Sequence, residues 1–153
     1  MTLPTGSLSM SQIAAELGLS LPLSLQHSWV RALAQVGGAA CDFNSLRGKT
    51  GTFNGGCPSN VPASFITFPG NPPWFGGTLS EMDAFAAGQG NQFQLNFASA
   101  PNWSGNIRVT NQTTGISALF NVKASSTQWQ ATPFQANLIR SNVTDTFLIR
   151  PSS

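Results

Sequence analysis

The sequence predicts a mainly β protein in which a segment of short helices is followed by an antiparallel β-sandwich. Composition changes near residue 50, where the helix-favouring Ala, Leu, Ser and Gln give way to Phe, Thr, Asn, Gly and Pro, which favour strands and turns. Residues 92–97 alternate between polar and apolar side chains, as in a strand with one buried face. Other short β-prone runs are separated by turn residues, which is typical of a sandwich or barrel. We therefore expect a short-helix docking segment over residues 1–50 and a β-sandwich domain over residues 51–153.

Three short helices are predicted in the first segment. Ser9 and Gln12 form a capping-box pattern, and the helix that they begin ends at Gly18. A second helix is predicted from residue 24 to the glycines at 37–38, and a third over residues 42–46. Helices of this length are marginal in water because nucleation is costly, so their apolar faces need a partner surface.

The second segment contains several β-prone runs and one loop with two aromatic residues. Strands are predicted at 51–56, 63–68, 92–97, 106–110, 116–123, 128–130, 136–140 and 146–150. Residues 80–85 follow a Ser that can cap a helix, and they predict a brief helical turn. Between Pro69 and Gly77 the loop contains Trp74 and Phe75, which either fill the end of the sandwich or protrude to bind a receptor.

Composition argues against several classes of function. The chain has 153 residues, enough for one domain with its own core, and only 8% of them are charged. One His, two Cys, no Tyr and five carboxylates leave few groups for acid–base, nucleophilic or metal chemistry. We expect no enzymatic activity, no cofactor and no metal site, and the sequence leaves open whether Cys41 and Cys57 pair. No apolar run approaches the roughly 20 residues that cross a bilayer, so we expect no membrane partner.

Two local motifs suggest nucleotide or DNA binding, but each is weak. Residues 11–20 resemble the first helix and turn of a helix-turn-helix, yet the following helix offers only Gln26, His27 and Arg31 to a DNA groove. Residues 48–51 resemble the end of a phosphate-binding loop but lack its first glycine and its preceding strand. DNA binding therefore remains a remote alternative, and we expect no nucleic-acid partner.

The helical segment carries the side chains that we expect to contact neighbouring subunits. They are apolar positions of the first two helices together with one exposed cation after the third. The candidates are Leu8, Met10, Ile13, Leu17, Trp29, Leu33 and Arg47.

Residues 7–50 resemble the head segment of tailed-bacteriophage virion proteins. The matching motifs are Ser-Leu-Ser-Met-Ser-Gln-Ile-Ala-Ala-Glu-Leu-Gly at 7–18, Val-Arg-Ala-Leu-Ala within 23–34, and Asn-Ser-Leu-Arg-Gly-Lys-Thr within 42–50. The segment departs from the family pattern at Cys41 and Asp42, where Ser and an apolar residue are usual. The resemblance implies a structural protein of the tail, tail tip or baseplate, and no active site comes with it.

These observations lead to one functional hypothesis and two principal alternatives. The leading hypothesis is a non-enzymatic virion protein, made in the host bacterial cytoplasm, that assembles with other virion proteins as a homo- or hetero-oligomer in a symmetric particle. The alternatives are a capsid decoration protein and a host-surface glycan-binding module that uses Trp74 and Phe75, with Trp103 and Trp129 as further candidates.

Overall fold

The computed structural model describes residues 1–153 and confirms the predicted fold class. Three short helices precede two antiparallel sheets. The helices are α1 (Met10–Leu17), α2 (Ser28–Ala34) and α3 (Phe43–Leu46). The strands are β1 (Phe53–Pro58), β2 (Phe65–Thr67), β3 (Pro73–Trp74), β4 (Gly77–Phe85), β5 (Gln92–Ser99), β6 (Asn106–Asn111), β7 (Ile116–Phe120), β8 (Val122–Ser125), β9 (Gln128–Ala131) and β10 (Thr144–Ser152).

The chain passes between the two sheets four times, after β1, β5, β7 and β9. The first has the strand order β1-β10-β6-β7, and the second has the order β2-β4-β5-β9-β8 with β3 paired to β4. The chain crosses between the sheets at Asn121, between β7 and β8, so the strand predicted over 116–123 is two strands. A bridge between Ser59 and Ile66 joins the end of β1 to β2. Strand β8 lies at one edge of the second sheet.

The capping residues of α1 and α3 are those that the sequence predicts. Ser9 caps α1 through a capping box with Gln12, and Asp42 caps α3. Helix α2 begins four residues later than predicted, because the Nδ1 atom of His27 accepts the Trp29 amide at 3.2 Å and caps the helix there. It ends at Gln35, which adopts a left-handed conformation with φ of 61° before the predicted glycine stop.

Two predicted elements in the β segment are wrong. Residues 80–85 belong to the long strand β4 rather than to a helical turn, and they pair with β2 and β5. Register shifts beside Leu79 interrupt the two-residue alternation of β4, which hides its strand character in the sequence. Residues 136–140 form turns instead of the predicted strand.

The helical segment and the β segment share one hydrophobic core of 30 buried residues. Ile13, Leu17 and Leu33 are at most 1% exposed and belong to this core. A Cβ atom added to Gly51 would lie 3.2 Å from atoms of Leu17 and Phe75, which shows how closely the helices approach the β body. The short helices are therefore covered within the chain itself.

This packing corrects the expectation that the helix faces need another subunit. Ile13, Leu17 and Leu33 are inaccessible to a partner in this conformation. Leu8, Met10 and Trp29 are half-buried against the same core, and Arg47 is exposed. The physical reason is that the β body offers the apolar surface that helices this short require.

Two further features of the fold concern the cysteines and the lengths of the helices. Cys41 and Cys57 are free and buried, and burial raises the pKa of the Cys57 thiol to about 12. None of the helices has both the length and the apolar character that a bilayer crossing demands.

Candidate functional site

An open surface groove lies between α2, the loop before β6 and strand β8. Its volume is about 640 Å³, within the range of small-ligand sites. We call it the tryptophan groove and define it by Trp29, Arg31, Asn102, Trp103, Ser104 and Lys123. Helix and strand residues far apart in sequence therefore meet at one surface.

Helix α2 supplies Trp29 and fixes its ring. The ring packs edge-to-face on His27, with centroids 5.9 Å apart, and on Trp103, with centroids 5.3 Å apart. The Asn102 side-chain amide donates to the Ala32 carbonyl at 2.8 Å, which ties the loop before β6 to the helix. The two walls of the groove are thus held together by direct contacts.

Trp74 and Phe75 lie beneath this groove rather than on the surface. Both are 0% exposed, so neither can contact a receptor in this conformation, and that candidate assignment is corrected. The Phe75 ring lies 4.8 Å from the Trp103 ring, and the Trp74 ring lies 6.1 Å from it. The two predicted receptor residues instead support the tryptophan that lines the groove.

A tight hairpin explains why these aromatic residues turn inward. Trp74 in β3 pairs with Gly77 in β4, which leaves Phe75 and Gly76 as the two turn residues. Their φ angles are 47° and 78°, the positive values that a type I′ turn requires at both positions. A Cβ atom on Gly77 would lie 2.5 Å from backbone atoms of Ser99 and Pro101, so only glycine fits beside this loop.

Two cations line the groove without a carboxylate partner. The Arg31 guanidinium donates from Nη1 to Gln26 at 3.1 Å and from Nη2 to the carbonyls of Gly37 and Ala39 at 2.5 and 3.0 Å. The Lys123 ammonium donates to the Trp103 carbonyl at 2.8 Å and lies 4.7 Å from the centroid of the Trp129 ring. Both ion pairs of the chain lie elsewhere, so this surface carries uncompensated positive charge.

The carboxylates are placed away from the groove. Glu16 is buried, Asp42 caps α3, and Asp145 pairs with Arg140. Asp83 lies on the outer face of the second sheet, where it accepts from Asn96 at 2.6 Å, and burial raises its pKa. Glu81 lies two residues before Asp83 on the same strand, and the two do not form a set of metal ligands.

The groove is lined by indole, hydroxyl, amide and cationic side chains. Its lining includes no carboxylate, histidine or cysteine side chain. His27 lies nearby, but its Nδ1 atom caps α2. Indole rings, hydroxyls, amides and cations can stack on a ligand, donate to it and neutralise its charge.

Sequence reasoning singled out Trp29 and Trp103 separately but did not bring them together. The sequence predicts Trp29 at a subunit contact and makes Trp103 a subsidiary candidate for glycan binding, but it does not mark Lys123 or Asn102. Their grouping depends on how α2 packs on the β body, and no local pattern encodes that contact.

Comparison with protein-family models, with curated proteins and with solved structures finds no match to this chain.

Proposed function

We propose that the protein is a non-enzymatic structural component of a tailed-bacteriophage particle, located in the tail, tail tip or baseplate. The observation that carries the proposal is the motif set at residues 7–50, which resembles the head segment of such virion proteins. A capsid decoration protein is the alternative location for the same kind of role.

The use of the few reactive side chains supports the non-enzymatic part of this proposal. His27 and Asp42 cap helices, Asp145 forms an ion pair, and Cys57 is a buried thiol with a raised pKa. Each of these groups has a structural role, which removes it from the supply of nucleophiles, acids and bases.

The contact surface in this proposal differs from the one that the sequence suggests. Since the inner faces of α1 and α2 are covered by the β body, neighbours must meet other surfaces. Val61, Phe65 and Val143 are 66%, 36% and 36% exposed. They flank a corner where Asn60 accepts the Phe65 amide at 2.9 Å and the Asn142 amide at 3.2 Å. We propose that this corner meets a neighbouring virion protein, because exposed apolar side chains are typical of such contacts.

A protein census of purified particles tests the location. Mass spectrometry of virions from the phage that encodes this chain should find it at a fixed ratio to the tail proteins. Its absence from intact particles would reject the proposal, and its presence only in tail-free capsids would favour the decoration alternative.

A paired substitution tests the contact corner. Val61→Asp with Val143→Asp should lower incorporation into particles, because charge opposes burial at an interface. Leu21→Asp is the matched control, since Leu21 is 56% exposed and lies outside the corner. Equal incorporation of both variants would exclude the corner as the contact.

A second candidate function is binding of a host-surface glycan in the tryptophan groove. The observation that favours it is the half-buried Trp29 ring beside hydroxyl and amide side chains of the groove. Trp29→Ala should abolish binding on a glycan array, whereas Leu21→Asp should not change it. Binding that survives Trp29→Ala would exclude the groove.

A further inference from the structure

We propose that the tryptophan groove binds an acidic saccharide, with its anionic group between Arg31 and Lys123 and a sugar ring against Trp29. This inference rests on the second proposed function and specifies its ligand class. Neither cation has a carboxylate partner, although the chain contains five carboxylates. A bound anion would therefore supply the charge that the groove lacks.

Both cations keep donors that the fold does not use. The Lys123 ammonium has three protons, and one of them reaches the Trp103 carbonyl. The Arg31 guanidinium has five N–H groups, of which Nε and one proton of Nη1 have no hydrogen-bond partner. Carboxylate and sulfate oxygens accept charge-assisted hydrogen bonds from such groups.

The contacts that hold these side chains also reduce the entropic cost of binding. Arg31 is anchored by the carbonyls of Gly37 and Ala39, and Lys123 is anchored by the Trp103 carbonyl and the Trp129 ring. Side chains that are already ordered lose less freedom when a ligand binds. The groove is therefore organised before the anion arrives.

The position of Trp29 favours a saccharide over a simple anion. Its ring is half-buried and is held edge-to-face by His27 and Trp103, so it offers a rigid apolar surface. Ser28 and Ser104 supply hydroxyls beside it, and Asn102 uses its NH₂ group on the Ala32 carbonyl while its amide oxygen remains available. Apolar ring faces and hydroxyl groups occur together in sugars, which matches this lining.

Titration calorimetry of the full chain with defined oligosaccharides tests the proposal. The probes are a tetragalacturonate, which carries carboxylates, a heparin-derived tetrasaccharide, which carries sulfates, and neutral maltotetraose. At low salt at least one acidic probe should bind about tenfold or more tightly than the neutral probe. This preference should shrink at about 0.5 M salt, where exposed charges are screened.

Substitutions locate the binding and separate it from general charge attraction. Lys123→Gln should weaken acidic-probe binding by about tenfold, in keeping with a lost charge-assisted bond. Trp29→Ala should abolish binding of every probe, and Trp29→Phe should restore part of it. The matched control is Arg108→Gln, because Arg108 is an exposed cation on β6 outside the groove.

The possible results distinguish the acidic ligand class from glycan binding in general. Equal binding of neutral and acidic probes would overturn the acidic class but leave glycan binding in place. No binding of any probe would overturn both the acidic class and glycan binding for these sugars. Equal losses in Lys123→Gln and Arg108→Gln would show nonspecific attraction and overturn the assigned site. Because Lys123 is exposed, its substitution keeps the test valid even where Trp29→Ala impairs folding.

Discussion

At the scale of single residues, one of the chain's few carboxylates, Asp145, lies in a buried hydrogen-bond network. Asp145 is 2% exposed and accepts from Arg140 Nε at 2.9 Å and from the Asn111 amide at 2.7 Å. Asn111 also donates to the Leu138 carbonyl at 2.9 Å, so this network joins β6 and β10 to the segment before β10. One buried carboxylate thus fixes a loop that forms no regular structure.

Acid pH should weaken this network. The hydrogen bonds from Arg140 are the largest cause that holds the pKa of Asp145 below its ordinary value. Since the folded pKa is depressed, the stabilisation is present above about pH 4 and is lost as pH falls through the lowered pKa. Asp145→Asn should therefore lower the free energy of unfolding at pH 7 by about 1.5–3 kcal/mol, with a smaller difference in acid.

Urea unfolding of the wild type and of Asp145→Asn at several pH values, from neutral to acidic, measures the difference between their free energies of unfolding. Asp83→Asn is the matched control. Because burial raises the pKa of Asp83, removal of this carboxyl should not reduce the loss of stability that the protein shows as pH falls. A wild-type to Asp145→Asn difference that stays constant with pH would contradict the assigned role.

At the scale of elements, a buried carboxylate joins α1 to the start of the β body. The Oε1 atom of Glu16 accepts the amides of Gly51 and Thr52 at 2.7 and 2.8 Å, and the Thr52 hydroxyl donates to the Glu16 carbonyl. Burial is the largest cause that raises the pKa of Glu16, and these backbone amides oppose it. The helix and the chain before β1 therefore share three hydrogen bonds inside the core.

Removal of this side chain should destabilise the protein. Glu16→Ala leaves two buried amides without an acceptor, which should cost about 1–3 kcal/mol for each amide. Glu16→Gln retains an acceptor oxygen, and its loss should be smaller. Chemical denaturation measures both, and an alanine variant as stable as the glutamine variant would contradict the role of Oε1.

At the scale of the whole molecule, residues 1–50 and 51–153 build one core, so we expect them to unfold as one cooperative unit. Leu33 is 0% exposed and belongs to the core that both segments build. Leu33→Ala should lower the free energy of unfolding by about 2–5 kcal/mol. Because the two segments bury one another, we expect amide protection to fall in both of them.

Hydrogen exchange with mass spectrometry checks this prediction by comparing peptides from the two segments. Val122→Ala is the control, since Val122 is 49% exposed on the edge strand β8 and contributes little to the core. Faster exchange confined to residues 1–50 in Leu33→Ala would show that the helical segment unfolds by itself.

Local patterns in the sequence are sufficient to predict two helix caps and one strand. The sequence predicts Ser9 and Asp42 as caps because a capping pattern spans only four residues. The sequence predicts the strand at Gln92–Ser99 because the alternation of polar and apolar residues is uninterrupted over residues 92–97. In β4 register shifts beside Leu79 interrupt the same pattern, so residues 80–85 predict a helical turn although they lie in the strand.

The sequence by itself determined the fold class, the N-caps of α1 and α3 and the small supply of reactive groups, because each depends on composition or on neighbouring residues. Only the tertiary structure decided which apolar side chains are covered and which polar ones meet. Trp74 and Phe75 became buried supports, and Trp29 came to lie beside Trp103. The reason is that burial and long-range contact depend on how the helices dock on the sheets, and residues distant along the chain share no local pattern that records it.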